Sequence, residues 1–202
     1  MKIKYLLSDL DGVIRKFPSE RDEVIEKKYK LPFGTLFKTA FNKSNLDKVV
    51  CGLITDEVWR LEIEKSLAQI CGETTAKMAI EEWSSFSGIV DQDYLNFLDQ
   101  YFPKVPVVIL TNGTTRLLSD LIKLGINSRF FKIFNSAEIG FAKPDRNIFE
   151  HILQDLSCEP SEILFVDDSL SHIKAAQDLC MRVHHYKSLS EFKDFLSNES
   201  LH

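Results

Sequence analysis

Cysteine is scarce in this 202-residue chain, and its four copies stand far apart. They form no CxxC pair and have no histidine at metal-ligand spacing, so we expect neither a zinc site nor a disulfide framework. We interpret Cys51, Cys71, Cys158 and Cys180 as reduced structural thiols. The cytoplasm is therefore the expected location.

Long apolar runs and an excess of positive charge are also missing. No stretch approaches the roughly 18 apolar residues of a membrane-spanning helix, and the first apolar run is too short for a signal peptide. The formal net charge of -5 gives no overall electrostatic reason to expect nucleic acid. We expect neither a membrane nor a nucleic-acid partner, and the oligomeric state stays open between monomer and dimer.

Apolar residues make up 44% of the chain and charged residues 27%, which is typical of a globular protein with a real core. Five near-continuous apolar runs predict buried parallel strands, and helical patterns lie between the later ones. This alternation predicts an α/β fold, a doubly wound (Rossmann-like) parallel sheet with right-handed crossovers. The predicted strands are 3–8, 105–113, 131–136, 162–168 and 181–186.

The interval from Lys16 to Ile89 breaks this rhythm. It has no convincing strand and predicts several helices, the clearest at 56–70, where Thr55 is a good N-cap and Gly72 a stop signal. We therefore predict an all-α module at 16–89, inserted after the first strand into a core formed by 1–15 and 90–202. The segment from Arg15 to Lys48 contains nine basic and five acidic residues. Its net charge of +4 suggests an anionic ligand.

Polar groups follow the predicted strands where each one ends. Ligands of open α/β sheets bind at the carboxyl ends of the strands, so we expect these groups to share one crevice. Lys143 lies in a loop just before a predicted helix and is expected to join them. The strand-end groups are Asp9, Asp11, Thr111, Asn112, Gly113, Asp167 and Asp168.

Several carboxylates in one crevice repel each other and need positive charge nearby. Two like charges about 4 Å apart repel by roughly 4 kcal/mol at an effective dielectric constant of about 20. Oxygen ligands without histidine or cysteine favour a hard cation, most plausibly Mg²⁺. Backbone amides after the second strand and the Lys143 ammonium suit an anion. The combination predicts a phosphoryl-transfer site.

With its motifs DLDGV, LTNGT, AKPD and FVDDSLSHI in this order, the sequence resembles the haloacid dehalogenase-like hydrolase superfamily. The motifs span the whole predicted core, 1–15 and about 90–202. The helical module resembles the small C1-type cap of this superfamily. The segment from Ser136 to Leu153 is similar to sugar-phosphate phosphatases.

The resemblance implies a role for each motif residue. Asp9 would be the nucleophile that forms an aspartyl-phosphate, and Asp11 the general acid and then base. Mg²⁺ would be bound by Asp9, the backbone carbonyl of Asp11 and Asp168, with Asp167 reaching it through water. Thr111, Asn112 and Gly113 would bind the phosphoryl group, and Lys143 would neutralise charge on nucleophile and phosphate.

Two residues bear on this assignment. Dehalogenases of the superfamily lack the second acid, so Asp11 favours phosphate substrates. His172 stands where relatives usually have asparagine, which puts metal affinity and activity at low pH in question. We expect a Mg²⁺-dependent phosphomonoesterase acting on a small phosphorylated metabolite. A phosphomutase and a non-catalytic phosphate-binding or regulatory protein are the alternatives.

The residues around the motifs have simpler interpretations. We interpret Trp59 and Trp83, at helical spacing, as the core of the helical module. Arg15 and Phe17 follow the first motif closely; we interpret them as packing or surface residues, with substrate contact as the alternative.

Overall fold

A computed structural model describes residues 2–198 of the chain. The strands are β1 (Tyr5–Ser8), β2 (Arg15–Lys16), β3 (Ile89–Val90), β4 (Val107–Thr111), β5 (Lys132–Asn135), β6 (Ile163–Asp167) and β7 (Arg182–His185). The helices are α1 (Glu20–Lys28), α2 (Thr35–Ala40), α3 (Lys43–Val50), α4 (Asp56–Cys71), α5 (Glu73–Ser85), α6 (Gln92–Tyr101), α7 (Leu117–Lys123), α8 (Ser136–Ile139), α9 (Arg146–Leu156), α10 (Leu170–Asp178) and α11 (Leu189–Asn198).

Five strands form one parallel sheet in the order β5-β4-β1-β6-β7, so the predicted doubly wound α/β fold is confirmed. Successive side chains of a strand point to opposite faces of the sheet. Leu6 of β1 accordingly packs in a core with residues of α6, α7 and α11. Leu7 packs on the other face with residues of α9 and α10. The central strand is thus covered on both sides, as its unbroken apolar run predicts.

Helices α1 to α5 share a third core of their own. Trp59, Ile63 and Leu67 of α4 meet Ala76 and Ile80 of α5 in it. Helix α4 begins as the sequence predicts, because Thr55 accepts a hydrogen bond from the amide of Val58. None of the helices within residues 2–198 combines the length and the apolarity that crossing a bilayer requires.

The prediction that 16–89 has no strand is wrong at both ends of that segment. Strands β2 and β3 pair in an antiparallel ladder, with Arg15 opposite Val90 and Lys16 opposite Ile89. Two-residue strands are too short to show the alternation by which a strand is recognised. Helix α3 was not predicted either. The side chain of Asn42 caps it by accepting a hydrogen bond from the amide of Ser44.

Candidate active site

The carboxyl ends of three neighbouring strands carry buried polar side chains. Asp9 follows β1, Thr111 ends β4 and Asp167 ends β6, and β1 lies between the other two strands. All three residues are buried. The Asp9 carboxylate is held at the strand end, because its Oδ1 accepts a hydrogen bond of 2.7 Å from the amide of Leu10. The strand order therefore brings together groups that are far apart in sequence.

The Lys143 ammonium lies between two of these carboxylates. Its Nζ atom is 2.9 Å from Oδ2 of Asp9 and 2.7 Å from Oδ2 of Asp167, and it also donates to the carbonyl of Leu110. The lysine side chain is fully buried. The predicted contact with Asp9 is present, and the contact with Asp167 adds a second partner that the motifs do not imply.

The side chain of Asn112 holds the loop that carries this lysine. Its Oδ1 accepts from the Lys143 amide and its Nδ2 donates to the Lys143 carbonyl, both at 2.8 Å. The peptide bond between Lys143 and Pro144 is cis. The phosphate contact predicted for Asn112 is that of its amide and stays a prediction, and its side chain holds Lys143. Its backbone amide remains the candidate phosphate donor.

Gly113 is the point of close approach in the loop after β4. A Cβ atom on Gly113 would lie 2.8 Å from Oδ1 of Asn135, closer than a real contact allows. Asn135 also donates from Nδ2 to the carbonyl of Thr114. The loop that was predicted to bind phosphate is thus fixed from the side by the end of β5.

Burial and neighbouring opposite charges shift the pKa values of these groups in opposite directions. Burial raises the pKa of Asp9 well above its usual value; the Lys143 ammonium opposes this shift and Asp167 adds to it. For Asp167, burial is outweighed by the hydrogen bond from His172 and the charge of Lys143, which lower its pKa to about 2. Burial disfavours the charged form of Lys143, yet the two carboxylates raise its pKa.

The carboxylate of Asp11 is turned towards Arg15. Nε and Nη2 of Arg15 lie 2.5 and 2.9 Å from the two carboxylate oxygens, which is a bidentate pair. Arg15 is 5% exposed, so of the two explanations given for it packing applies and surface exposure does not. Its Nη1 is 3.7 Å from Asp120, whose carboxylate also accepts from the hydroxyl of Ser87.

Three candidate metal ligands lie close together within residues 2–198. Oxygen or nitrogen atoms of Asp9, Asp167 and His172 are within 4.8 Å of one another. The Nδ1 atom of His172 is 3.0 and 3.1 Å from the two oxygens of Asp167, so Nδ1–H donates to this carboxylate. His172 therefore supports the acidic loop by a hydrogen bond to Asp167.

Asp168 lies outside that group of three but against the turn that follows Asp11. Gly12 has φ +87°, and a Cβ atom there would lie 2.0 Å from Oδ2 of Asp168. Burial raises the pKa of Asp168, and Asp167 adds to the effect. Its backbone carbonyl is 2.9 Å from Nε2 of His185. The predicted ligand set of Asp9, the Asp11 carbonyl and Asp168 stays a prediction.

A cavity of about 490 Å³ opens between the helical module and the loops at the strand ends. Asp11, Asn112, Gly113 and Thr114 line its floor on the sheet side. Asp56 at the start of α4 accepts a hydrogen bond of 2.9 Å from the hydroxyl of Thr114, which joins the module to the loop after β4. This volume lies within the usual range for small-molecule sites, about 300–1,000 Å³.

A family model of haloacid dehalogenase-like hydrolases matches residues 3–179. The chain belongs to this family. The match extends across four of the five strands of the parallel sheet, the helical module and all four motif loops, and it ends before β7. The family resemblance of the motifs is thereby confirmed.

Two curated relatives of this hydrolase cover most of the chain. It is 27% identical over 185 residues to the D-ribitol-5-phosphate phosphatase of Bacteroides thetaiotaomicron, and the match covers 88% of each protein. It is 28% identical over 203 residues to the bifunctional epoxide hydrolase 2 of Sus scrofa. That match covers 90% of this chain and 36% of the relative, so the chain spans about a third of that protein's length.

Among solved structures, this hydrolase is similar to the HAD family enzyme bt-2542 of Bacteroides thetaiotaomicron in complex with magnesium and inorganic phosphate. The TM-score is 0.75 at 25% identity, covering 94% of this chain and 98% of that one.

Sequence reasoning missed the groups that surround Asp11. Arg15, Asp120 and Ser87 come from β2, α7 and the turn before β3, and none belongs to a motif. The four-residue spacing from Asp11 to Arg15 was visible, but in a loop it does not predict contact. Asp120 and Ser87 reach Arg15 only through the tertiary fold.

Proposed function

We propose that this hydrolase is a Mg²⁺-dependent phosphomonoesterase that acts on a small phosphorylated metabolite through an aspartyl-phosphate intermediate. The observation that carries the proposal is the buried group of Asp9, Lys143 and Asp167, with Asp11 two residues after Asp9. The phosphatase relative and the neighbour solved with magnesium and phosphate support it.

In the proposed reaction, one carboxylate oxygen of Asp9 attacks phosphorus in line and the bond from phosphorus to the ester oxygen breaks. Asp11 gives its proton to the departing alcohol. Asp11 then takes a proton from water, the water oxygen attacks phosphorus, and the bond to Asp9 breaks. The products are an alcohol and inorganic phosphate, and both aspartates return to their starting states.

Thr111, the amides of Asn112 and Gly113, and the Lys143 ammonium are proposed to bind the phosphoryl oxygens. Lys143 contacts the Asp9 oxygen that is not engaged by the amide of Leu10. In this position it orients the carboxylate and offsets the negative charge that a phosphate brings to a buried site. The bidentate contact with Arg15 engages both oxygens of the Asp11 carboxylate, so Asp11 would have to leave Arg15 before it can carry a proton to the leaving group.

The residues present fit a magnesium ion. Asp9, Asp168 and the carbonyl of Asp11 are hard oxygen donors, and Gly12 lets Asp168 approach the Asp11 turn as closely as it does. These three groups would hold the ion, with Asp167 supporting it through water. When bound, Mg²⁺ would supply positive charge that attracts the phosphate and stabilises the charge developing during transfer.

We also propose the division into two parts predicted from sequence, a core of 1–15 and 90–202 and a cap of 16–89. The separate core of α1 to α5 supports this division. The cap would close over the cavity and supply the surfaces that select the substrate. The four free cysteines support a cytoplasmic location, where thiols stay reduced.

The experiment is phosphate release from a panel of phosphomonoesters by purified protein, with Mg²⁺ and with EDTA. We expect turnover that depends on Mg²⁺, and Asp9→Asn should eliminate it while circular dichroism stays unchanged. Asp178→Asn, an exposed change on α10, is the matched control and should be fully active. Activity of Asp9→Asn equal to that of the parent protein would refute the proposed nucleophile. Isomerised sugar phosphate without phosphate release would identify a phosphomutase instead.

A further inference from the structure

Aromatic rings form much of the cavity wall on the side of the helical module. Neighbouring centroids lie 4.8 Å apart for Phe37 and Phe41, 6.5 Å for Phe41 and Trp59, and 5.8 Å for Trp59 and Trp83. Phe17 and Phe86 make an edge contact at 5.9 Å. We call this set the aromatic wall; its members are Phe17, Phe37, Phe41, Trp59, Trp83 and Phe86.

Several rings of the aromatic wall are exposed although they lie beside a cavity. Phe37 is 59% exposed, Phe17 45% and Phe41 43%. Large apolar side chains left open to water in one contiguous patch indicate a surface that is covered when a ligand binds. Leu46 and Val50 of α3 line the same cavity and extend its apolar surface.

The aromatic wall leads to the reacting groups. The guanidinium of Arg21 lies over Trp83 and Phe86, at 5.7 and 5.1 Å from the ring centroids. The guanidinium of Arg15 lies 5.2 Å from the centroid of Phe17 and binds Asp11. A ligand with its phosphate at the strand ends would therefore place its alcohol part along these rings.

Polar groups of the cavity are largely engaged by other protein groups. Oδ1 of Asp56 accepts from the hydroxyl of Thr114, and its Oδ2 forms an ion pair with Nη2 of Arg60 at 2.6 Å without a hydrogen bond. Asp120 accepts from Ser87 and Arg116.

The tryptophan N–H groups are likewise used. Trp59 donates to the carbonyl of Ala40, and Trp83 donates to Asp22. In the part of the chain that the structure describes, two buried atoms of the cavity lining have no hydrogen-bond partner, Nη2 of Arg21 and Oδ2 of Asp56, which leaves one donor and one acceptor for a ligand. A polyol would bury several hydroxyls against groups that are already paired, and each unmade hydrogen bond is costly.

Resting on the proposed phosphatase function, we infer that the substrate is the phosphate monoester of an alcohol with a large apolar body, rather than a polyol phosphate. The phosphate would lie at the strand ends, and the apolar body would cover the aromatic wall. This substrate class differs from the polyol phosphate in the name of the Bacteroides relative.

The test is a homologous series of n-alkyl phosphates from ethyl to octyl, compared with D-ribitol 5-phosphate. All are esters of primary alcohols, so leaving-group chemistry is matched. Full burial of one methylene corresponds to about 0.8 kcal/mol, or roughly a fourfold change. We expect kcat/KM to rise at least about tenfold from ethyl to octyl phosphate, and octyl phosphate to exceed D-ribitol 5-phosphate.

A matched pair of variants localises the effect. Phe37→Ser should lower the octyl-to-ethyl ratio of kcat/KM, whereas Phe33→Ser, a 77% exposed phenylalanine outside the cavity, should leave both rates unchanged. Circular dichroism checks that both variants fold. Calorimetric titration with n-octylphosphonate and methylphosphonate in Mg²⁺ measures the preference without turnover, and we expect the octyl compound to bind at least about tenfold tighter.

Each outcome tests either the substrate class or the phosphatase function. A flat alkyl series, equal binding of the two phosphonates, or faster turnover of D-ribitol 5-phosphate overturns the inference and leaves the phosphatase intact. A ratio lowered equally by Phe33→Ser overturns the role of the aromatic wall. Absence of phosphate release from every ester, p-nitrophenyl phosphate included, overturns the proposed function and the inference with it.

Discussion

Replacing Lys143 by methionine keeps most of its buried stem and removes the ammonium between two carboxylates. In the parent protein Nζ lies 2.9 Å from Asp9 and 2.7 Å from Asp167, and the side chain is fully buried. Loss of the cation leaves Asp9 and Asp167 facing each other without their shared positive partner. We expect a large loss of stability together with any loss of activity.

The size of this loss follows from the burial. Removing one partner of a buried ion pair costs about 3–5 kcal/mol, because the remaining charge is desolvated and unpaired. A domain has a total stability of about 5–15 kcal/mol, so Lys143→Met should be marginally stable. The double variant Lys143→Met with Asp167→Asn removes one of the two stranded charges. It should recover about 1–3 kcal/mol, the usual size of coupling between residues in contact.

Urea unfolding followed by circular dichroism at pH 7 measures both effects. EDTA is needed, so that no divalent cation replaces the ammonium. The control is Lys174→Met, an exposed lysine on α10, which should change the free energy of unfolding by less than about 0.5 kcal/mol. A loss below about 1 kcal/mol in Lys143→Met, or a double variant no more stable than the single one, would refute the reasoning.

Two further variants test the turn at Gly12 and the contact of Asp91 with Lys16. Gly12→Ala places a Cβ 2.0 Å from Oδ2 of Asp168, at a residue whose φ is +87°. We therefore expect the free energy of unfolding in urea to fall by about 1–3 kcal/mol, and Mg²⁺ to bind more weakly in calorimetry. Unchanged Mg²⁺ affinity would contradict the proposed role of Asp168. For Asp91, burial is outweighed by hydrogen bonds from Lys16 and the amide of Tyr94, which lower its pKa. Its contribution is therefore present above the ordinary pKa of aspartate and is lost as the pH falls through the lowered value. Asp91→Asn keeps an N-cap for the Tyr94 amide but loses the ion pair with Lys16, so it should cost about 0.2–1 kcal/mol at pH 7 and progressively less in acid; a cost independent of pH would contradict this origin.

The sheet was predictable because its signals are local. Each predicted strand overlaps an observed one, and the ends differ by one or two residues, as in 105–113 against Val107–Thr111. The ladder of β2 and β3 was not predictable. Its two-residue strands are held by pairing between residues 73 and 75 positions apart, which leaves no periodic pattern in either segment.

The strand-end groups were predictable for a different reason. Acids and amides placed after buried strands are unusual, and the parallel order collects them at one edge. The turn of Asp11 towards Arg15 and the use of the Asn112 side chain to hold Lys143 could not be predicted. Both depend on where loops of unrelated sequence meet, and the same holds for the rings of the aromatic wall.

Arg15 makes two contacts that connect the helical module with Asp11. Its backbone pairs with Val90 in the ladder where the chain enters and leaves the helical module, and its guanidinium grips Asp11. If the module rotated about this ladder, the side chain of Arg15 would therefore move the Asp11 carboxylate with it. The proposed proton donor is thus connected to the base of the helical module through the side chain of Arg15.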